Sequence, residues 1–259
     1  MIIPVLAGIL IGYLINYLSD ILPYSPRQIL PTCANQECKQ PYPWTDYLLL
    51  RCCRKCGKRQ RVRTFLVLVL AMIASLYLWF RPPVKLGFAL GLLALTYLLL
   101  IAVIDFEHRL ILRPLSFAGL TLTVITGFLM HGWQSTLIGG LFGFGVMFIF
   151  YLFGILVTRR IAKKQNQDPK EAEEAFGSGD VTLATILGLF LGWPLIWFGL
   201  LLGVLLLGIG VIPIAAGLLI KRRSRKETLM MYIPIGPPFI LGTILLVYLP
   251  NWITAVLPK

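Results

Sequence analysis

Charge and histidine are what this sequence has least of. Asp, Glu, Lys and Arg make up 14% of the 259 residues, and histidine occurs twice, at His108 and His131. Soluble globular domains carry about 25% charged residues, so a chain this poor in charge and 58% hydrophobic falls outside that class. Its first apolar run, Ile2 to Leu18, lacks the basic start and the Ala-x-Ala-like site of a cleaved signal peptide, so it is read as a span. No internal repeat is visible, and cysteine is missing everywhere except between positions 33 and 56. What remains is a set of uncharged runs, several long enough to meet the roughly 20 residues that a bilayer crossing requires. The expected fold is an all-α integral membrane protein.

Eight spans are expected, over about 2–22, 64–80, 86–104, 115–131, 135–158, 180–193, 195–220 and 231–249. The charge distribution supports the count. Loops 23–63, 105–114, 159–179 and 221–230 hold 21 of the 24 Lys and Arg; the other side has Arg81, Lys85 and Lys259. The positive-inside rule then places those four loops in the cytoplasm and both termini outside it. The net charge of +13 is thus a topology signal and implies no nucleic-acid partner, with anionic lipid headgroups as a secondary partner. The two histidines fall on opposite sides of the membrane, which excludes a His pair. Glycines recur at the spacing that lets membrane helices approach closely, at Gly8 and Gly12, Gly87 and Gly91, Gly139 and Gly143, and Gly199 and Gly203.

Residues 23–63 form the largest segment outside the spans and hold all five cysteines. Cys33 and Cys38, then Cys53 and Cys56, make two close pairs separated by a connector, the pattern of a four-thiolate zinc knuckle. A cytoplasmic loop disfavours disulfides, and a loop with few core-forming residues gains much of its folding free energy from a metal. Cys52 stands beside Cys53 and could take its place as a ligand. The zinc expected here is structural.

Two acids stand where polar loop meets apolar run. Asp105 closes the run Leu86–Ile104, and Asp180 follows Gly177-Ser178-Gly179 and opens Val181–Leu191. Acids at the mouth of a membrane helix are costly unless paired or working. As a helix C-terminal residue Asp105 opposes the helix dipole, whereas Asp180 reads as an N-cap. Both lie on the cytoplasmic side of the expected topology. Two aspartates on facing helices can share one proton, so that one activates water while the other polarises a carbonyl. Peptide hydrolysis is the chemistry this suits. Ser178 is the one hydroxyl in the glycine motif, and no His-Asp relay stands near it. The sixth span is short, about 21 Å for 14 residues, so either its break is not at Gly192-Trp193-Pro194 or Asp180 lies below the membrane surface.

With these residues in view the chain resembles the type IV prepilin peptidases, membrane aspartic proteases with a Gly-x-Gly-Asp motif. Gly177-Ser178-Gly179-Asp180 is similar to that motif, with Gly177, Ser178 and Gly179 in support, and Ile104-Asp105-Phe106-Glu107-His108 to the segment with the first catalytic aspartate. Ile233-Pro234-Ile235-Gly236-Pro237 resembles a segment before the last span, and Gly12-Tyr13-Leu14-Ile15-Asn16 a stretch of the first. The cysteine loop and Tyr47-Leu48-Leu49-Leu50-Arg51 match the bacterial branch. The resemblance implies that Asp105 and Asp180 are catalytic. It further implies that prepilins or pilin-like secretion proteins (pseudopilins) lose a short basic leader at the cytoplasmic face of the inner membrane. Many members also methylate the new N-terminus with S-adenosylmethionine, using the cytoplasmic loop. The expected organisation is a first membrane helix over 1–22, a cysteine-rich loop over 23–63, and a seven-helix peptidase core over 64–259.

The departures from the family pattern are local. Ile111-Leu112-Arg113-Pro114 shifts a proline after Asp105, the first cysteine pair has four residues between its members, and Cys52 follows Arg51 where a glycine is usual. An acid usual near Gln40 is missing, leaving Asp46 as the acid available to orient an amine in that half of the loop. These touch methyl transfer rather than cleavage. Glu171, Glu173 and Glu174 could attract a basic leader. Two other functions fit parts of the pattern. A presenilin-like intramembrane protease expects tyrosine where Ile104 stands, and a proton-coupled transporter expects repeats and acids near the membrane midplane.

Overall fold

In lipid every backbone polar group must be satisfied within its own segment, so uncharged runs of this length become helices. The computed structural model describes residues 1–23, 30–33, 38, 40–57, 59, 60, 62–165, 178–220 and 235–249. Among them lie helices α1 (Ile2–Ile21), α2 (Trp44–Leu48), α3 (Val62–Phe80), α4 (Gly87–His108), α5 (Arg113–Gln165), α6 (Ser178–Leu191), α7 (Leu195–Ile220) and α8 (Gly236–Tyr248). No strand occurs among the described residues; Thr32 and Pro41 make one isolated antiparallel bridge. The protein is an all-α integral membrane protein. Five of these helices are long and apolar enough to cross a bilayer, and α6 and α8 are shorter apolar helices.

The expected spans differ from these helices in instructive ways. Spans four and five are both present: α5 consists of two helices that meet at a kink at Gly132, whose backbone is non-helical (φ 78°, ψ 170°), a conformation that glycine adopts without a Cβ penalty. Helix α4 continues one turn past its expected end to His108, so Asp105 lies inside the helix. Helix α6 starts at Ser178, which puts Asp180 in its first turn rather than at the cap. The expected break after α6 is present. Gly192 has φ +67°, and the turn is tied to α5 by Trp193 N–H to Ser135 O at 2.9 Å and Ser135 Oγ to Trp193 O at 2.6 Å.

The chain divides into two compact units within α4, Met1–Ile104 and Asp105–Lys259. In the first, α1 packs on α3 through its glycine pair. A Cβ on Gly8 would lie 2.7 Å from the Met72 backbone, and one on Gly12 would meet Leu68 at 2.8 Å. Buried polar groups stitch the same pair. Asn16 Nδ2 donates to Gly12 O (2.9 Å) and Thr64 O (3.1 Å), and Ser75 Oγ donates to Pro4 O (2.7 Å). Such bonds matter in lipid because no water replaces them.

In the second unit α6 is the central element. Val181, Leu183, Ala184 and every residue from Ile186 to Leu191 are buried, which explains its lack of a polar face. Gly139 and Gly143 of α5 meet the backbone of Gly188 and Ala184, and Gly188 in turn meets Gly139. Gly199 of α7 faces Leu191, and Gly203 faces Phe239 of α8. Three of the four glycine pairs are therefore helix contacts. Gly87 is not; it has φ +67° and open space beside it.

Candidate active site and metal centre

Asp105 and Asp180 belong to the same unit. Asp105 is buried on the last full turn of α4, and Asp180 is half-buried on the first turn of α6. The two carboxylates are within electrostatic reach of each other, and Arg109 is within such reach of Asp105. The residue that shapes the site from a third helix is Gly236, at the start of α8. A Cβ there would fall on Asp105 Oδ2, with Leu183 at 3.2 Å. The Gly236 backbone N–H lies beside the same carboxylate, while Oδ2 itself has no hydrogen bond among the described residues. A buried carboxylate oxygen without a partner is costly, so it is a place where a substrate or water can bond. Gly179 has a different task. A Cβ there would meet the Ile111 side chain at 3.0 Å, so this glycine lets α6 close on the segment before α5.

Beside Asp180 opens a cavity of about 360 Å³, lined by Val146, Met147, Phe150 and Tyr151 of α5, Val181 of α6, Trp197, Leu200, Leu201, Val204 and Leu207 of α7, and Ile235 and Phe239. Among the described residues, Asp180 is the one charged residue in this apolar lining. The carboxylate thus faces a space shaped for apolar side chains. Nothing in the composition of those helices marked these positions, since every face of them is apolar. Gly177 and the acids Glu171, Glu173 and Glu174 lie outside the described residues, as do Ile233 and Pro234.

The cysteine loop builds a second site in the other unit. Cys33, Cys38, Cys53 and Cys56 present sulfurs that all lie within 4.8 Å of one another, with Cys33 to Cys56 at 3.5 Å and Cys38 to Cys53 at 3.9 Å. A tetrahedral ion with bonds of about 2.3 Å to sulfur needs edges of roughly 3.8 Å. The four thiols fit a metal ion of that geometry. Cys53 is buried within the cluster, while Cys52 is exposed and outside it. The difference comes from the turn that follows. Backbone N–H groups of Cys56 and Lys55 point at the Cys53 sulfur and draw its pKa down to about 6, which favours the thiolate a metal requires.

A small core supports the cluster, with Cys33, Tyr42, Tyr47 and Cys53 buried and Tyr17 of α1 packed against them. Tyr47 donates its hydroxyl to Asp20 Oδ2 at 3.1 Å, and Arg63 bonds Asp20 Oδ1 at 2.5 Å. Asp46 is 1% exposed and clasped by Arg54, with Nη2 to Oδ1 at 2.9 Å and Nε to Oδ2 at 2.5 Å. Its carboxylate is therefore held in an ion pair with Arg54. The Arg54 bond holds the Asp46 carboxyl below the usual carboxylate range. A carboxylate so lowered contributes stability above its ordinary pKa, and that contribution disappears only as pH falls through the lowered value. Asp46→Asn should therefore speed hydrogen exchange of the amides around residues 46–56 at pH 7. Wild type should reach the variant's rates only below the carboxylate range; equal rates at pH 7 would remove the clasp.

Residues 92–212 match the model of the type IV leader peptidase family. No curated protein and no solved structure gives a significant match. The matched segment contains Asp105, Asp180 and the α5–α6 contact, but not the cysteine loop or α8. Over residues 92–212, a little under half of its length, the chain is similar to the type IV leader peptidase family.

Proposed function

We propose that this protein is a membrane aspartic endopeptidase that removes the short basic leader of prepilins or pilin-like secretion proteins at the cytoplasmic face of the inner membrane. What supports this reading is the electrostatic reach between Asp105 and Asp180, the apolar cavity beside Asp180, and the similarity of residues 92–212 to the type IV leader peptidase family. Both termini lie outside the cytoplasm in this reading, and residues 64–259 form the peptidase core behind the first helix and the 23–63 loop.

The chemistry needs no metal. One carboxylate takes a proton from water as the water oxygen attacks the scissile carbonyl carbon. The other, protonated, gives its proton to the carbonyl oxygen. The tetrahedral intermediate then breaks its C–N bond, the proton returning to the leaving nitrogen. Helix α6, at about 21 Å, is shorter than the hydrocarbon core, which draws Asp180 below the membrane surface, toward the boundary where a leader meets an apolar run. The cavity beside Asp180 then receives apolar residues that follow the cut.

Zinc is the metal that suits the cysteine cluster, and its place is structural. Cys33, Cys38, Cys53 and Cys56 would hold it, remote in sequence from both aspartates. Methylation of the new N-terminus from S-adenosylmethionine is separable from cleavage, since it draws on the 23–63 loop. With Asp46 committed to Arg54, cleavage without stoichiometric methylation is expected. Mass spectrometry of a processed peptide incubated with S-adenosylmethionine reads both outcomes.

The tightest geometric test uses Gly236. Gly236→Ala would drive a methyl group into the Asp105 carboxylate, and an ångström-scale displacement of a catalytic group costs about 10²-fold in rate. Gly179→Ala, which meets a movable Ile111 side chain, should lose less. Cleavage assays on both variants rank them, and equal rates for Gly236→Ala and wild type would separate Asp105 from the reaction.

A further inference from the structure

Helix α2 has an unusual combination of exposed apolar side chains and fully bonded carbonyls. Trp44 and Leu48 are about half exposed, and Leu49 is 62% exposed. A short surface helix in water normally leaves its last carbonyls to solvent. Here each carbonyl from Thr45 to Leu48 has a protein donor. Thr45 O accepts from Leu49 N–H, Asp46 O from Arg51 N–H, and Tyr47 O from Leu50 N–H and Gln60 Nε2. Leu48 O accepts from the Tyr13 hydroxyl at 2.5 Å. Complete internal bonding beneath an apolar surface is what hydrocarbon demands and water does not.

The position of Tyr13 agrees. It precedes Asp20 by seven residues on α1, about 10 Å along the axis, and α1 is a membrane-spanning helix. One turn closer to Asp20, the Tyr17 ring packs on Trp44 with centroids 4.8 Å apart. Helix α2 therefore lies against α1 level with Tyr13 to Tyr17, inside the run Ile2–Ile21 that is long and apolar enough to cross a bilayer. The chain then turns at Leu50, which has φ 52°, and returns through Arg51, Arg54 and Lys55. All three are exposed, and the Arg54 side chain keeps 70% of its surface open while holding Asp46.

We propose that α2 and the turn after it seat the cysteine-bearing loop on the bilayer. Trp44, Leu48 and Leu49 enter the boundary between headgroups and acyl chains, and Arg51, Arg54 and Lys55 bond the phosphates of anionic lipids. Tryptophan favours that boundary because its ring is apolar and its N–H is polar, and basic residues beside it are attracted to anionic lipid. The loop is then a membrane-bound platform. This assignment does not depend on the peptidase reading.

The test uses the full-length protein in vesicles of mixed phosphatidylcholine and phosphatidylglycerol. Trp44 fluorescence is isolated as wild type minus Trp44→Phe, and Leu49→Trp in the Trp44→Phe background gives a second probe. Both signals should be blue-shifted, lose most of their intensity to lipids brominated near the headgroup, and resist aqueous iodide. Signals quenched by iodide and untouched by brominated lipid would overturn the insertion. The double variant Arg51→Gln with Lys55→Gln should make Trp44 more accessible to iodide in the same vesicles. Accessibility equal to wild type would overturn the phosphate contacts.

Discussion

Asp180→Asn should cost roughly 10⁴-fold in leader cleavage while the protein still inserts and folds, and Asp105→Asn should do the same. A general acid or base contributes about 10²–10⁴-fold, and a pair sharing one proton loses both functions when either member is neutralised. Asparagine keeps the size of each side chain, so the helix contacts around them should persist. Thermal unfolding in detergent, together with cleavage of a prepilin-like peptide, distinguishes lost chemistry from lost structure. An Asp180→Asn protein that folds and still cleaves at the wild-type rate would remove Asp180 from the mechanism.

The second large effect is expected at the cysteine cluster, and it separates two adjacent thiols. Cys53→Ser should reduce bound zinc from about one ion per chain to none, because a four-thiolate site folds with its metal. The residues around 30–57 should then become sensitive to protease. Cys52→Ser should retain its zinc, since that side chain is exposed and outside the cluster. Metal analysis under reducing conditions measures both. Retained peptidase activity in Cys53→Ser would agree with a structural metal, whereas equal zinc content in the two variants would refute the ligand set.

Much of the architecture was legible because the bilayer imposes simple rules. Length, lack of charge and the placement of Lys and Arg outlined the spans, and the shortness of α6 followed from Gly192-Trp193-Pro194. The break between the fourth and fifth spans was legible too, and it falls at Gly132, where the backbone leaves helical geometry. Spacing paired Cys33 with Cys38 and Cys53 with Cys56, yet it left Cys52 able to take the place of Cys53. The distinction between them comes from N–H groups of Lys55 and Cys56, which only the folded turn aims at one sulfur.

Asp105 and Asp180 stood out because acids are rare at the ends of apolar runs. Their surroundings did not stand out. Gly236 reaches Asp105 from a helix 131 residues further along the chain, and no local pattern records that approach. The cavity beside Asp180 is built from apolar side chains on helices that are apolar all round, so its lining residues look like their neighbours until the helices pack. Asp46 shows the converse. Its position suggested an acid that could orient an amine, and its ion pair with Arg54 eight residues away was not read from the sequence.

The most direct measurement is mass spectrometry of a peptide with a short basic leader ending in glycine before an apolar run, incubated with the full-length protein in vesicles. A single cut after that glycine, absent with Asp105→Asn and with Asp180→Asn, is the predicted result. A cut within the apolar run, or one unchanged by both substitutions, would contradict it.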